Sequence, residues 1–390
     1  MNPASCQLRV IQSISEIDES NWNALLSPDA GPFLKHEFLN ALEKTRCVGG
    51  NTGWQVTHLL VENSNSELIG AMPLYPKQHS YGEFVFDWAW AQAYEQNNLP
   101  YYPKALSAIP FTPVRGPRLL VSSKADKLAT QEILVSGLKA LVSQNDLSSA
   151  HVLFPEDGEL LELKKQGFML RDSVQFHWHN QRYQDFEQFI SDLTMKRRKN
   201  IRRERAEVAS NQMTYRHIAG AEASSADWSF FYRCYENTYR EHHSSPYLTE
   251  DCFQLLGQVM PENFHLIIAS QNEMPIASSL LVVDRLTSTA YGRYWGAIEH
   301  IPCLHFELAY YQSIEYCIKE GIQTFEGGAQ GEHKMARGFL PTTIQSAHWI
   351  ADPGFSAAVK RFLDREHEGM VAYVDELEQH IPLKSTKVRS

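Results

Sequence analysis

The order in which hydrophobic periodicity switches along the chain constrains its fold more than any other feature. Apolar residues recurring at every second position mark strands, and those recurring every three or four mark helices. Residues 7–13 alternate as a first strand, and 15–24 (with Trp22) and 35–46 read as helices. Residues 55–62 and 67–74 are β-rich runs joined by the polar turn Asn63-Ser64-Asn65-Ser66, a hairpin. Pro-punctuated loops at 101–104 and 110–118 lead into a strand at 119–121. A helix follows at 127–145, with Leu128, Ile133, Leu134, Leu138, Leu141 and Val142 at helical spacing. Then come a strand at 151–154, a helix at 159–166 stopped by Gly167, and a strand at 171–179. That order is a complete mixed α/β unit of about 175 residues.

The second half repeats the order without repeating the residues. It reads as a strand at 213–218, helices at 227–240 and 250–259, strands at 264–270, 275–284 and 287–298, a helix at 304–320 closed by Gly321, and a strand at 324–327. Two domains, 1–180 and 181–390, are therefore expected in this 390-residue chain. The second opens with one long helix at 186–210, whose stretch 195–205 carries seven basic residues against one acid. Such a run is either a solvated face, with its stems lying on apolar surface, or a contact for phosphate or an RNA backbone. The latter would use Lys196, Arg197, Arg198, Arg202 and Arg203.

The densest chemistry lies at 325–341, where seventeen residues hold four glycines, Glu326, Glu332, His333, Lys334 and Arg337. Glycine is favoured where the backbone takes positive φ or approaches something closely, so Gly327, Gly328 and Gly331 predict a shaped loop. A strand-to-hairpin turn with a solvated polar face accounts for the same pattern. Upstream of it, the strand at 287–298 carries Tyr291, Arg293 and Trp295, and the helix after it begins near His305 and Glu307. A helix start beside two neighbouring strand ends forms a crevice where anionic groups can bind. The aromatic run at 77–91, which includes His79, Tyr81, Glu83 and Asp87, reads either as core or as a substrate wall.

Composition removes several classes. A net charge of −10, from 36 Lys and Arg against 46 Asp and Glu, argues against a general nucleic-acid coat, a DNA partner or an anionic-membrane binder. Six cysteines without a C-x-x-C pair read as reduced thiols in a cytoplasmic protein. No leader pattern or membrane-spanning apolar run is evident. His177 with His179, His242 with His243, and Glu299 with His300 and His305 are near pairs of the kind that 16 histidines produce by chance, so no metal site is expected. A nucleophile elbow, a P-loop and a dinucleotide fingerprint are all missing.

The runs His79-Ser80-Tyr81-Gly82-Glu83, Tyr291-Gly292-Arg293-Tyr294-Trp295-Gly296, Leu304-His305-Phe306-Glu307 and Gly328-Ala329-Gln330-Gly331-Glu332-His333-Lys334 resemble the FemAB-like branch of the GNAT acyltransferase superfamily. The likeness covers about residues 8–385. It implies an α/β fold with mixed sheets, built as two tandem GNAT-like domains, and acyl transfer to an amine. It implies no tightly bound cofactor, and either acyl-CoA or aminoacyl-tRNA as the donor substrate. The acceptor would be a small-molecule or peptide amine, such as a peptidoglycan precursor. Two departures stand out. Arg293-Tyr294-Trp295-Gly296-Ala297-Ile298 begins like the pyrophosphate-cradling signature of CoA users but fails at its last position and sits inside a predicted strand. Where Fem-type transferases show Phe-Lys-Lys-Gly-aromatic, this chain has Met335-Ala336-Arg337-Gly338-Phe339, with Lys334 close by.

Acyl transfer needs a neutral amine and stabilisation of a developing oxyanion. Lys334 or Arg337 is expected in the second role and Glu326, Glu332 or His333 in the first. Tyr291, Arg293, Trp295, His305 and Glu307, together with His79, Tyr81, Glu83 and Asp87, are expected to bind substrate. Two other readings remain open at this point: a CoA-dependent N-acetyltransferase of another amine, and a non-catalytic protein that binds cell wall or RNA.

Overall fold

The computed structural model describes residues 6–328 and 331–384. The chain divides into two compact units: 1–173 with 343–373, and 174–342 with 374–390. A single cut at 180/181 does not capture this division, because 343–373 belongs with the first unit while 374–390 belongs with the second.

The first unit contains β1 (Gln7–Ile11), α1 (Glu19–Asn23), α2 (His36–Lys44), β2 (His58–Glu62), β3 (Leu68–Met72), β4 (Tyr75–Lys77), α3 (Trp88–Gln96), β5 (Lys104–Ser107), β6 (Leu120–Val121), α4 (Lys127–Gln144), β7 (Ser149–Leu153) and α5 (Asp157–Lys165). β8 (Met169–His179) leads from the first unit into the second. β1, β2, β3 and β6 form a four-stranded sheet, while β4 pairs with β5 and β5 runs parallel to β7. α4 starts where the Asp126 side chain accepts from the Ala129 amide, a side-chain cap. Its Leu134, Leu138 and Leu141 join Leu59, Val61, Val152 and Leu163 in one core.

The second unit begins with α6 (Phe186–Ser191) and α7 (Met195–Ala209). The single helix expected at 186–210 is thus two. Its break falls where Leu193 bridges to Leu383, the Thr194 amide donates to the Pro382 carbonyl and the Lys384 amide donates to the Asp192 carbonyl, which pulls the backbone out of helical geometry. Then follow β9 (Met213–Ala219), α8 (Ser225–Glu241), α9 (Glu250–Val259), β10 (Phe264–Gln271), β11 (Met274–Asp284) and β12 (Thr289–Ala297). α10 (Leu304–Phe306) passes through a π-turn at Glu307–Gln312 into α11 (Ser313–Lys319), and β13 (Thr324–Glu326) ends at the glycine-rich stretch. β9 to β12 form an antiparallel run in which β10 pairs with both β9 and β11. A capping box between Ser224 and Asp227 starts α8, which packs on β12.

Several elements have no counterpart in the sequence reading: β4, α3 and β5, where an aromatic run and loops were expected, and two at the C-terminal side. β14 (Leu340–Ile350) pairs through Ser346–Ile350 with β7, and α12 (Pro353–Gln379) follows it. Ile350, Val359 and Leu363 close over Trp90, Tyr94 and Tyr101 of the first unit, so the aromatic run at 77–91 supplies core as well as surface.

Candidate functional site

Among the described strand pairings each unit contains a parallel pair, and the two pairs end differently. In the second unit Thr289–Tyr291 of β12 pair in parallel with Thr324–Glu326 of β13. β12 continues to Ala297 while β13 stops, and the Gly327 amide turns to the Phe176 carbonyl of β8 at 2.9 Å. Strands that part in this way leave a crevice beyond their shared ladder. The β11–β12 register skips Arg293, pairing Leu281 with Gly292 and Leu280 with Tyr294, so β12 carries a bulge at the crevice. Burial raises the Tyr291 hydroxyl pKa well above its usual range, and the Glu326 carboxylate adds to the effect.

The exit of β13 is shaped by glycines. Gly328 and Gly331 have φ of 82° and 105°, and a 3-10 turn follows at Glu332–Arg337. It folds Lys334 back so that its Nζ lies 3.4 Å from the Gly328 carbonyl, with only 6% of the residue exposed. Among the described residues no carboxylate pairs with Lys334, and burial pushes its pKa down to about 8.

Arg337 is also buried but is engaged. It bonds Glu204 of α7 at 2.9 Å and the His333 carbonyl at 2.7 Å, and its guanidinium lies 3.4 Å from the Phe306 ring centre. The Tyr311 hydroxyl donates to the same Glu204 carboxylate. The His333 ring meets the Tyr310 hydroxyl at 3.1 Å, and the His305 ring stacks on Trp295 with centroids 4.7 Å apart. Burial is the main reason both rings protonate less readily than usual, His305 only at about 4, with Arg337 and Lys334 contributing.

Trp295, His305, His333, Lys334 and Arg337 are therefore brought together, and Tyr291 faces Glu326 where the ladder ends. Arg293 lies over Tyr294 and donates to its hydroxyl at 3.2 Å. Glu307 is committed elsewhere: its carboxylate binds Arg205 at 3.0 Å and Gln312 at 2.8 Å, and Arg205 also holds Glu315 at 2.6 Å, which fixes α7 against the helix. The Glu332 side chain, like Ala329 and Gln330, lies outside the described residues. Glu204, Tyr310 and Tyr311 escaped the sequence reading. The one signal for Glu204 was its place as the sole acid in the basic run.

On α7, Lys196, Arg197 and Arg203 carry no side-chain partner among the described residues, whereas Arg202 pairs with Glu187 at 2.5 Å and Arg198 donates to the Ser191 carbonyl at 3.4 Å. His79, Tyr81, Glu83 and Asp87 belong to the first unit. There Lys104 bonds Glu83 at 2.7 Å and also Asp87, and Tyr101 donates to Asp87 at 2.6 Å. Lys77 stands 3.8 Å from Glu83 and donates to the Tyr81 carbonyl at 3.2 Å. His79 is held between Lys77 at 3.3 Å and the Thr52 carbonyl at 3.0 Å, and Tyr81 is 58% exposed.

The first unit's own parallel pair, Ala105–Ser107 with Ala150–Val152, ends on a plug. Arg118, 0% exposed, donates to the carbonyls of Val114 (2.7 Å), Leu153 (2.9 Å), Gly116 and Pro117 (both 3.0 Å). Glu159 accepts the amides of Arg118 and Leu119 at 2.8 and 2.7 Å.

This architecture is a mixed α/β fold of two units, a fold that solved structures share. The chain belongs to the FemAB-like family, described as peptidoglycan biosynthesis/recognition, whose profile matches residues 13–385. Among solved structures it is similar to the C-terminal domain of a protein designated lysylphosphatidylglycerol synthetase from Agrobacterium fabrum, at TM-score 0.53 and 8% identity, covering 90% of this chain and 97% of that one. It is also similar to L-PGS from Bacillus licheniformis, at TM-score 0.50 and 8% identity, covering 83% and 95%. A tandem GNAT protein of the clavulanic acid pathway covers 89% and 99% at TM-score 0.47 and 10% identity. No curated protein matches by sequence. Among the described residues no helix is long and apolar enough to cross a membrane, and no group of three His, Cys, Asp or Glu is placed to hold a metal ion.

Proposed function

We propose that the second unit is an N-acyltransferase centre that moves an aminoacyl group from an ester donor to an amine, with a peptidoglycan precursor as the acceptor in keeping with the family's description. The observation that carries this reading is Lys334, a buried cation with no carboxylate beside it among the described residues, at the exit of β13. A buried charge without a partner is costly, so a site that retains one has room for an anion formed there.

In this reading the acceptor nitrogen attacks the donor carbonyl carbon and the C–N bond forms. Negative charge develops on the former carbonyl oxygen, which Lys334 stabilises. The attacking nitrogen passes its proton to His333, whose ring is neutral near pH 7 and oriented by Tyr310. Collapse breaks the bond to the ester oxygen, and the proton leaves with that oxygen. Arg337 acts as a positioning residue: its bonds to Glu204 and to the His333 carbonyl brace the turn that presents Lys334.

The donor assignment has its own support. A Cβ on Gly296 would stand 1.9 Å from the Cys234 carbonyl oxygen, so this glycine serves the close packing of α8 on β12. The partial CoA signature in β12 therefore has a packing explanation, while the unpaired cations of α7 suit a polyanionic carrier. Thermal stabilisation tests it, since a ligand that binds the native state raises Tm. Uncharged tRNA is expected to raise Tm and acetyl-CoA to leave it unchanged, and the reverse outcome would transfer the site to acyl-CoA chemistry. Lys334→Ala with undiminished transfer in a working assay would remove the mechanism.

A further inference from the structure

The first unit contains a cavity of about 890 Å³ with a lining of unusual chemistry. Gln12, Asn51, Gln55, Gln78, Gln144 and Asn145 supply carboxamides to it, and no acidic or basic side chain except the neutral-leaning ring of His79 lines it. In a chain with 21% charged residues, a wall of amides without ions is a specific composition. The carboxamides of Gln12, Asn51, Gln55, Gln78 and Gln144 make no hydrogen bond within the protein among the described residues. Each can therefore offer two N–H donors and a carbonyl acceptor to a ligand.

A second feature adjoins it. The His79 ring, which lines the cavity, lies 5.3 Å from the Tyr81 ring, and Tyr81 lies 5.4 Å from Trp88. Tyr81 is 58% and Trp88 44% exposed, so two aromatic faces meet solvent beside the cavity. This ledge is held from below. Lys77 grips the Tyr81 carbonyl and the His79 ring, and Gly53 leaves no room for a Cβ against that ring, at 2.3 Å. Aromatic faces with free carboxamides suit a ligand that has apolar faces edged by hydroxyl and amide groups and carries no charge.

We infer that this cavity and its aromatic ledge form a binding site for an uncharged saccharide, with the carboxamides engaging hydroxyl and N-acetyl groups and Tyr81 and Trp88 stacking on ring faces. It is a site of the first unit by itself and goes beyond the reading above without resting on it. Free sugar and glycan polymer share the chemistry the site recognises.

Binding is measured without any transfer assay, so its failure and the failure of the acyltransferase reading are separable. N,N′-diacetylchitobiose is titrated against the full chain, followed by NMR of the side-chain amides and by Trp fluorescence. The glucosamine disaccharide and digalacturonate serve as cationic and anionic contrasts. Saturable binding of the neutral sugar is expected, with both charged sugars weaker. Tyr81→Ala and the near-isosteric Gln144→Glu are each expected to weaken it by about tenfold, the loss expected when one good contact is removed. Both positions are exposed, so an unchanged Tm confirms that the fold is retained. Failure of the neutral sugar to saturate at millimolar concentration, tighter binding of a charged sugar, or full binding by both variants would overturn the assignment. Insoluble glycan pulled down by the wild type but not by Tyr81→Ala would extend it to the polymer.

Discussion

The two parallel strand pairs, β5 with β7 and β12 with β13, are the same local design with opposite treatment of buried cations. Beside the first pair, Arg118 donates to four carbonyls, and Lys104 is enclosed by Glu83 and Asp87. Beside the second, Lys334 has a single carbonyl at 3.4 Å among the described residues. Desolvation acts on all three cations, and for Arg118, whose partners are carbonyls, it prevails and lowers the pKa to about 10. Attraction to Glu83 and Asp87 more than offsets it for Lys104, whose pKa is raised, but nothing offsets it for Lys334. A saturated cation is structural, and an unsaturated one is available for chemistry.

The largest expected effect tests the saturated side. Lys104→Met leaves Glu83 and Asp87 buried without their main partner, and should cost about 3–5 kcal/mol of stability. Urea denaturation reads this as a lower midpoint with little change in slope. A loss of under about 1 kcal/mol would place Lys104 with Lys334 and dissolve the contrast.

Lys334→Met should do the opposite. Its ammonium pKa is depressed from 10.5 to about 8, so burying the charge costs stability in full below about 8. That cost fades as pH rises toward 10.5, because there the native chain has already released a proton that the unfolded chain still holds. The Met variant should therefore be more stable at pH 7, by on the order of 3 kcal/mol, and level with wild type above pH 10.5. Transfer should fall by about 10²–10³-fold in kcat. Greater stability together with full activity would break the proposed role.

The same lysine predicts the pH profile of the wild type. Oxyanion stabilisation needs its charged form, so kcat/KM should decline as pH rises through about 8, well before an ordinary lysine would titrate. Lys334→Arg should move that alkaline limb upward. An unmoved limb would assign it to another group.

Gly296→Ala forces a Cβ into the Cys234 carbonyl and should cost about 1–3 kcal/mol without altering donor preference, as judged by Tm and by the ligand that shifts it. The smallest effect on the fold belongs to α7. Replacing Lys196, Arg197 and Arg203 with Gln should leave Tm in place while weakening tRNA binding and flattening its salt dependence. Unfolding of that variant would make the basic face structural.

Local pattern determined much of this molecule. Helical spacing placed α4 and α9 closely, at Lys127–Gln144 and Glu250–Val259, because amphipathic faces are written in residues a few positions apart; the strand runs of the second half marked β9 to β12, of which β10 and β11 are buried along most of their length. The glycines of 325–341 marked the shaped exit of β13, since positive φ at Gly328, Gly331 and Gly338 is a local demand. Tertiary structure alone decided the rest. The break between α6 and α7 depends on Leu383 and Pro382, and the place of β14 on β7 depends on residues nearly two hundred positions apart. Most of all, sequence presented Lys334 and Arg337 as equivalent cations. Only folding brought Glu204 to Arg337 and no carboxylate among the described residues to Lys334, because the partners that set a buried charge are chosen by packing and not by neighbours in the chain.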